Sequence, residues 1–202
     1  MRKIAVFGGT FNPIHNGHLH LAESFAEILG VQKVLLIPAR VPPHKPAVDL
    51  APAEDRLAMC RAAAGGLFEA SGIEIRRKGP SYTSDTLREI RDRCPDSELY
   101  LITGEDMFLT LEQWHEPEVI FSLATICAAP RSAAGCGRML EYARALKEKG
   151  ARAVVRNIRY IPVSSTMVRN AVRQGKSLAG LVPPAVERYI REHHLYLWSE
   201  MA

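Results

Sequence analysis

Short apolar runs alternate along this sequence with stretches whose apolar residues recur every three or four positions. The runs are continuously or almost continuously apolar, which is typical of strands buried on both faces: Ile4–Phe7, Val34–Ile37, Leu99–Ile102 and Leu123–Ala128. Between the first two runs, Leu19, Ala22, Ala26 and Leu29 have helical spacing, and Gly30 follows as a C-terminal cap. Strands that alternate with helices predict an α/β fold with a doubly wound parallel sheet.

Weaker patterns complete the predicted secondary structure. Further strands are predicted at Ile73–Ile75, Ala153–Val155 and Tyr160–Val163. Further helices are predicted at 54–64, from Ser84 (as a capping residue) to about Arg93, at 138–149, after Ser164-Ser165 and from Pro183-Pro184. The prediction divides the chain into a core at 1–163 and a small helical C-terminal part at 164–202 of the same domain.

Composition excludes several classes of protein. The 202 residues are 47% hydrophobic and 24% charged, which argues against disorder and fibres. The net charge of +4 fits a phosphate-bearing ligand and also nucleic acid. The four cysteines form no C-x-x-C pair, so neither a metal site nor a disulfide framework is predicted. Reduced thiols and the lack of a signal peptide or of an apolar run near 20 residues predict a cytoplasmic protein without a membrane segment.

The segment Gly8–His18 (GGTFNPIHNGH) follows the first strand and opens the first helix. Glycines there let the backbone approach a ligand, and a helix N-terminus favours a phosphate. His15 and His18 are three residues apart, so they share one side of the helix start and can donate hydrogen bonds to phosphate oxygens. A tight turn with two surface histidines is the alternative, and the position between strand and helix favours phosphate binding.

Four later segments have features of ligand sites and also simpler explanations. Ser81–Leu87 is a helix start that could hold a carboxylate or only cap the helix. Gly104–Met107 follows a strand, and its aspartate could accept from ribose hydroxyls or cap a helix. Trp114 lies in a polar stretch, which is unusual for a core tryptophan. Ser164–Arg169 combines capping serines with an arginine and could form a second phosphate site.

The H-x-G-H element after a glycine turn resembles the nucleotidylyltransferase superfamily, and the whole Gly8–His18 string resembles the bacterial nicotinate-mononucleotide adenylyltransferases. The proline-rich loop that follows Pro38, together with the four segments above, extends the resemblance along most of the chain. Many relatives carry aspartate where Asn12 stands, and no role is assigned to Asn12. The resemblance implies a Rossmann-like nucleotidylyltransferase fold.

The resemblance also implies roles for particular residues. Those expected to stabilise the transition state are His15, His18, Lys45 and Arg169. Those expected to bind ATP are Gly8, Gly9, Thr10, Phe11, His18, Gly104, Asp106, Ser164, Ser165, Thr166 and Arg169. Those expected to bind the mononucleotide are His44, Lys45, Tyr82, Thr83, Trp114, His115 and Arg131. In the family the tryptophan stacks on the pyridine ring, and the residue after it offers its backbone N–H to the carboxylate.

The reaction implied is transfer of AMP from ATP to nicotinate mononucleotide, which yields deamido-NAD and pyrophosphate. Mg²⁺ is expected to arrive on the ATP phosphates, and no protein metal site is predicted. Another acceptor, nicotinamide mononucleotide or pantetheine phosphate, is the nearest alternative. A non-catalytic nucleotide or RNA binder is the alternative from another class, but no aromatic and basic stripe supports RNA, and nucleic acid is not expected as a partner. The sequence leaves a homo-oligomer open.

Overall fold

The computed structural model describes residues 1–41 and 49–197. Its strands are β1 (Arg2–Gly9), β2 (Lys33–Pro38), β3 (Phe68–Ala70), β4 (Ser97–Thr103), β5 (Ala124–Ala128) and β6 (Arg152–Val155). Within the described ranges these six strands form one parallel sheet in the order β3-β2-β1-β4-β5-β6. The doubly wound α/β fold predicted from the alternating apolar runs is therefore confirmed.

The helices follow the strands in alternation. They are α1 (Asn16–Leu29), α2 (Ala53–Ala63), α3 (Ile73–Arg76), α4 (Thr83–Arg93), α5 (Glu105–Phe108), α6 (Pro117–Leu123), α7 (Ala133–Glu148), α8 (Ser165–Arg173) and α9 (Pro184–Glu192). The predicted C-terminal cap of α1 is present, since Gly30 adopts the left-handed conformation with φ 65°. Within the part of the chain that the structure describes, no helix is long and apolar enough to cross a membrane.

Both faces of the sheet are covered, which explains why β1 is apolar at every position from Ile4 to Phe7. Ala5 and Phe7 belong to one apolar cluster, together with buried residues of α1, α8 and α9. Ile4 and Val6 point to the other face and join a second cluster with buried residues of α4, α6 and α7. The last two helices of the chain, α8 and α9, therefore pack in the same apolar cluster as Ala5 and Phe7 of β1.

The direction of strand order reverses at β1, which pairs with β2 on one side and with β4 on the other. The chain proceeds outward from β1 to β3 and then returns to β4. In open parallel sheets ligands bind in the crevice beyond the carboxyl ends of the strands at such a reversal. Here that crevice lies where β1 ends at Gly8-Gly9 and β4 ends before Gly104.

Two predicted strands are wrong. Ile73–Ile75 forms the helical turn α3, and the edge strand β3 lies earlier in the chain. The alternation Ile-Glu-Ile resembled a half-buried strand, but all three side chains are buried. Tyr160–Val163 also belongs to no strand, because the pairing of β5 with β6 ends at Val155. That segment instead crosses the start of α1.

Candidate active site

Two histidines form the start of α1. His15 is the N-cap residue, and its Nδ1 accepts a hydrogen bond from the His18 backbone N–H at 3.3 Å. In return His18 Nδ1 accepts from the His15 backbone N–H, also at 3.3 Å, and the two rings stack with centroids 3.6 Å apart. Because each Nδ1 accepts a hydrogen bond, a neutral ring carries its proton on Nε2. The pair therefore presents Nε2–H as the donor group of each imidazole.

The structure leaves little space for a side chain at the glycine between the histidines. A Cβ atom at Gly17 would lie 3.2 Å from atoms of the His15 ring and 3.4 Å from the Ile161 carbonyl oxygen. A Cβ atom at Gly9 would lie 3.1 Å from the ring of Phe11. The distances of 3.2 Å to the His15 ring and 3.1 Å to the Phe11 ring are shorter than ordinary van der Waals contacts. Close packing of aromatic rings against the backbone thus accounts for Gly9 and Gly17, whereas a Cβ atom at Gly8 would meet no atom within 4 Å.

Aromatic neighbours fix the orientation of the His18 ring. It meets Phe11 edge-to-face with centroids 5.1 Å apart, and Phe7 in the same manner at 5.9 Å. Phe11 itself has a positive φ of 46°, which is uncommon for a residue other than glycine. Strain of this kind is often found where a functional site needs a fixed geometry. The turn therefore holds His18 by packing as well as by hydrogen bonds.

The start of α8 lies against the same turn. Ser164 is its N-cap and accepts a hydrogen bond from the Met167 backbone N–H, as the sequence predicts. The Ser165 hydroxyl donates to the Pro13 carbonyl at 2.9 Å, and Arg169 Nη1 donates to the Asn12 carbonyl at 2.9 Å. These two side chains, predicted to bind ATP, therefore also hold the glycine turn against α8.

Asn12, to which the sequence assigned no role, connects three segments. Its side chain is buried, and Nδ2 donates to the Asp49 carbonyl at 2.7 Å. Its Oδ1 accepts from the Ala51 backbone N–H and from the Tyr196 hydroxyl, both at 3.0 Å. Burial raises the pKa of Tyr196, so this hydroxyl stays a donor. Asn12 has a structural role, and through it the segment after Leu195, which the sequence left unexplained, contacts the turn.

A buried arginine donates hydrogen bonds to the backbone of the same turn and of two neighbouring segments. Arg56 of α2 has no exposed side-chain surface. Its Nε donates to the Ala51 carbonyl at 3.0 Å, and its Nη1 and Nη2 donate to the carbonyls of Thr10 at 2.7 Å and Arg40 at 3.2 Å. Burial lowers the pKa of this guanidinium, which nevertheless stays charged at neutral pH. Sequence reasoning missed Arg56, because an arginine in an amphipathic helix is usually exposed.

Two predicted site residues meet beyond the end of β4. The Asp106 carboxylate lies 2.8 Å from Arg131 Nη2, although the sequence assigned the two to different substrates. The Arg131 backbone N–H also donates to the Glu105 carboxylate at 2.7 Å. More than half of each side chain in the ion pair is exposed, so both groups can exchange this contact for a ligand.

Three aromatic side chains predicted to bind the mononucleotide lie at another part of the crevice. The rings of Tyr82 and His115 stack with centroids 4.0 Å apart. Trp114 is half-buried, and its Nε1 donates to the Thr110 hydroxyl at 3.4 Å. Thr83 is the first residue of α4, so the predicted cap at Ser84 is wrong: Ser84 is the second residue of the helix.

A buried carboxylate, that of Glu74 in α3, lines the same crevice. Burial is the larger effect and raises the pKa of the Glu74 carboxyl. Hydrogen bonds from the Thr86 and Ser81 hydroxyls partly oppose this rise. The Ser81 hydroxyl also accepts from the Arg40 backbone N–H at 2.9 Å. Glu74 thus links α3, the start of α4 and the end of β2. Sequence reasoning missed it, because Ile73–Ile75 was read as a strand.

One cavity of about 1210 Å³ unites these parts. The predicted residues that line it are Gly8, Gly9, Thr10, Phe11, His15, His18, Tyr82, Thr83, Gly104, Asp106, Trp114, His115, Arg131, Ser164, Ser165, Thr166 and Arg169. Predicted residues His44 and Lys45 lie outside the described residues. The structure therefore brings together residues that are up to 161 positions apart (from Gly8 to Arg169), and their substrate contacts stay predictions.

Comparison with known proteins gives a consistent result. The cytidylyltransferase-like family model matches residues 6–171. A protein of Synechococcus sp. named "Probable nicotinate-nucleotide adenylyltransferase" is 42% identical over 202 residues, which cover 97% of this chain and 95% of that protein. A protein of the same name from Lachnoclostridium phytofermentans is 38% identical and covers 98% of this chain and 100% of its own length.

Solved structures share the fold. Nicotinic acid mononucleotide adenylyltransferase of Plasmodium falciparum, complexed with NaAD, superposes with a TM-score of 0.74 at 16% identity. The same protein complexed with APC gives a TM-score of 0.73, also at 16% identity. Each comparison covers 97% of this chain and 98% of the other.

Proposed function

Because this chain belongs to the nicotinate-nucleotide adenylyltransferases of the cytidylyltransferase-like family, we propose that it joins the AMP part of ATP to nicotinate mononucleotide. The products are deamido-NAD and pyrophosphate, and the reaction belongs to NAD biosynthesis. The substrates are nucleotides, and the enzyme is a nucleotidyltransferase.

One observation supports the proposal most: a single cavity is lined both by the stacked His15–His18 pair and by the Trp114–His115 segment beside Tyr82. The first group offers donors to phosphates at a helix N-terminus. The second offers aromatic faces to a ring, and an indole attracts a cationic pyridinium by roughly 0.5–2 kcal/mol. A dinucleotide-forming enzyme needs both kinds of site in one cavity.

The reaction is an in-line displacement. A phosphate oxygen of the mononucleotide attacks the α-phosphorus of ATP, and the bond from that phosphorus to the oxygen bridging to the β-phosphate breaks, so pyrophosphate leaves with the electron pair. The attacking group is already an anion and needs no general base. Holding both substrates in line contributes roughly 7–11 kcal/mol. His15, His18, Lys45 and Arg169 stabilise the charge that develops on phosphate oxygens.

Nucleotidyltransferases of this family generally use a divalent metal. We propose that it is Mg²⁺ and that it enters as Mg-ATP, held by phosphate oxygens and water. Among residues 1–41 and 49–197, no group of three or more histidine, cysteine, aspartate and glutamate side chains could hold a metal. We propose that the Asp106 carboxylate, which is paired with Arg131, accepts hydrogen bonds from the ribose hydroxyls.

Pyrophosphate release tests the proposal directly. Mg-ATP is supplied with nicotinate mononucleotide or nicotinamide mononucleotide in parallel, with pantetheine phosphate as a third acceptor and ATP alone as the blank. We expect release with the acid form, weaker release with the amide and none above the blank with pantetheine phosphate. Mass spectrometry should identify deamido-NAD as the second product. Release with pantetheine phosphate, but with neither pyridine mononucleotide, would refute the assignment of a pyridine mononucleotide as the acceptor.

Replacing Trp114 with alanine should weaken mononucleotide binding selectively. Loss of the stacking surface is expected to raise the KM for nicotinate mononucleotide by about 2- to 30-fold, because 0.5–2 kcal/mol corresponds to that range. The KM for ATP should change less than about twofold, since ATP binds at the histidine end. Steady-state kinetics with each substrate varied in turn measures both values.

The matched control is Trp114→Phe, which keeps an aromatic face of smaller area. Its KM for the mononucleotide should lie between those of the wild type and the alanine variant. An equal rise of both KM values in Trp114→Ala would mean that the tryptophan stabilises the fold of the site and does not stack on the pyridine ring.

Two further predictions from the sequence stand as proposals. We propose that the protein works in the cytoplasm, which fits the free thiols of all four cysteines. Burial raises the pKa of Cys60 and of Cys127 to about 12, so neither thiol is reactive.

We also propose that the protein binds no nucleic acid, and salt-dependent binding to mixed RNA would contradict this.

A further inference from the structure

An ion pair lies next to the Trp114–His115 segment of the cavity. The Glu116 carboxylate, which lines the cavity, accepts hydrogen bonds from Arg88 Nη1 at 2.6 Å and from Arg88 Nη2 at 2.8 Å. This two-point contact joins α4 to the residue that precedes α6. A bidentate pair of this kind fixes direction as well as distance.

The carboxylate partner of the pair also has an unusual backbone conformation. Glu116 has φ 50° and ψ 60°, the left-handed region that residues other than glycine rarely adopt. Such a conformation persists when surrounding contacts impose it. The adjoining residue, His115, stacks on Tyr82, and its Nε2 lies 3.6 Å from the Glu116 carboxylate. The position of Glu116 therefore affects the backbone of the segment proposed to receive the pyridine carboxylate.

The charges at this end are unbalanced. Arg88 faces two carboxylates, those of Glu116 and of Asp85, whose Oδ1 lies 3.3 Å from Arg88 Nη1. The hydrogen bonds from Arg88 lower the pKa of Glu116 to about 2, so its charge is present at neutral pH. Without Arg88, the unpaired charge of Glu116, which lines the cavity, would repel the carboxylate of an incoming nicotinate, whereas a neutral nicotinamide would meet no such repulsion.

We propose that the Arg88–Glu116 ion pair determines the preference for the acid over the amide mononucleotide, an inference that rests on the proposed function. Arg88 acts as a positioning and charge-balancing residue. It neutralises Glu116 beside the carboxylate subsite and holds Glu116 in the conformation that presents the His115 backbone. Neutralisation of Glu116 strengthens binding of the acid mononucleotide only. The position of the His115 backbone strengthens binding of both the acid and the amide.

The test is equilibrium binding by calorimetry at pH 7, with nicotinate mononucleotide and nicotinamide mononucleotide as the two probes. Arg88→Gln should raise the Kd for the acid by about 3- to 10-fold and the Kd for the amide by less than twofold. This estimate allows for screening, because 42% of the Arg88 side chain and 38% of the Glu116 side chain are exposed. Glu116→Gln should act in the opposite direction and lower the Kd for the acid.

Two further variants separate charge from structure. The double variant Arg88→Gln with Glu116→Gln should return the acid-to-amide ratio to within about twofold of the wild type, because it removes one charge of each sign. Arg93→Gln is the matched control on α4, since Arg93 pairs with Glu89 instead. It should leave both Kd values unchanged.

The outcomes that overturn the inference are distinct from those that overturn the function. Equal weakening of both ligands by Arg88→Gln would mean that the pair only supports the local fold. An acid-to-amide ratio that moves in the same direction in Arg88→Gln and Glu116→Gln would also refute it. If the wild type binds neither mononucleotide, the proposed function fails, and this inference fails with it.

Discussion

Replacing His18 with alanine is expected to lower kcat by about 10²- to 10³-fold, the cost of removing one donor to a developing anion. The ring is held for this role by its stacking on His15 and by its edge-on contacts with Phe11 and Phe7. Its Nδ1 accepts a hydrogen bond from the His15 backbone N–H, so a neutral ring carries its proton on Nε2, the atom proposed to donate to the phosphates. Rapid-quench measurement of a single turnover gives the chemical step without product release.

The structure adds a complication that the sequence did not show. His18 Nδ1 also caps α1, so the alanine variant should lose about 1 kcal/mol of folding stability. His18→Gln is the matched control, because glutamine at this helix position can accept the same backbone hydrogen bond. We expect the glutamine variant to fold like the wild type and to remain as slow as the alanine variant. A glutamine variant with near-normal kcat would assign His18 to helix capping alone.

Replacing Arg56 with methionine is expected to lower the free energy of unfolding by about 3–6 kcal/mol, the largest stability effect predicted for this chain. Methionine fills much of the volume but leaves the carbonyls of Thr10, Arg40 and Ala51 without their donor. A buried acceptor that loses its partner costs about 1–3 kcal/mol, and the cost is lower for the Thr10 and Arg40 carbonyls, whose bonds to Arg56 are only partly buried. Domains are stable by about 5–15 kcal/mol in total, so this variant should be close to its unfolding limit at 37 °C.

Urea denaturation measures the effect, and an unchanged m-value would show that the unfolding reaction itself is the same. Arg61→Ala is the control, because Arg61 is exposed near the end of the same helix and should cost less than about 1 kcal/mol. Arg56→Lys should recover only part of the loss, since one ammonium nitrogen cannot replace a guanidinium that reaches three separate segments. Stability of Arg56→Met within 1 kcal/mol of the wild type would contradict the role assigned to these hydrogen bonds.

The fold was predictable because its signals are local. Continuous apolar runs such as Ile4–Phe7 report burial on both faces, and Gly30 reports a helix end. The position of the His15–His18 pair at the crevice was predictable, since its place between a strand and a helix requires only the order of elements. Ile73–Ile75 failed because a short Ile-Glu-Ile pattern fits a strand and a buried helical turn equally well.

The supporting contacts were not predictable, because they depend on which segments meet in space. Nothing near Arg56 in the sequence indicates that three carbonyls surround it. Asn12 bonds to residues that lie 37, 39 and 184 positions away. The contact between Arg88 and Glu116 spans 28 positions and requires a left-handed backbone at a residue that does not favour it. Long-range pairing of this kind becomes visible only in three dimensions.

The central position of β1 has a consequence for synthesis on the ribosome. One edge of β1 can pair with β2 soon after both are made, but its other edge pairs only with β4, whose last residue, Thr103, comes 94 positions after Gly9. At roughly 5–20 residues per second, that edge of an apolar strand waits about 5–20 s for its partner. Unpaired apolar edges invite association with other chains. The nascent protein should therefore depend on chaperones, or on a low concentration of other nascent chains, until β4 emerges from the exit tunnel.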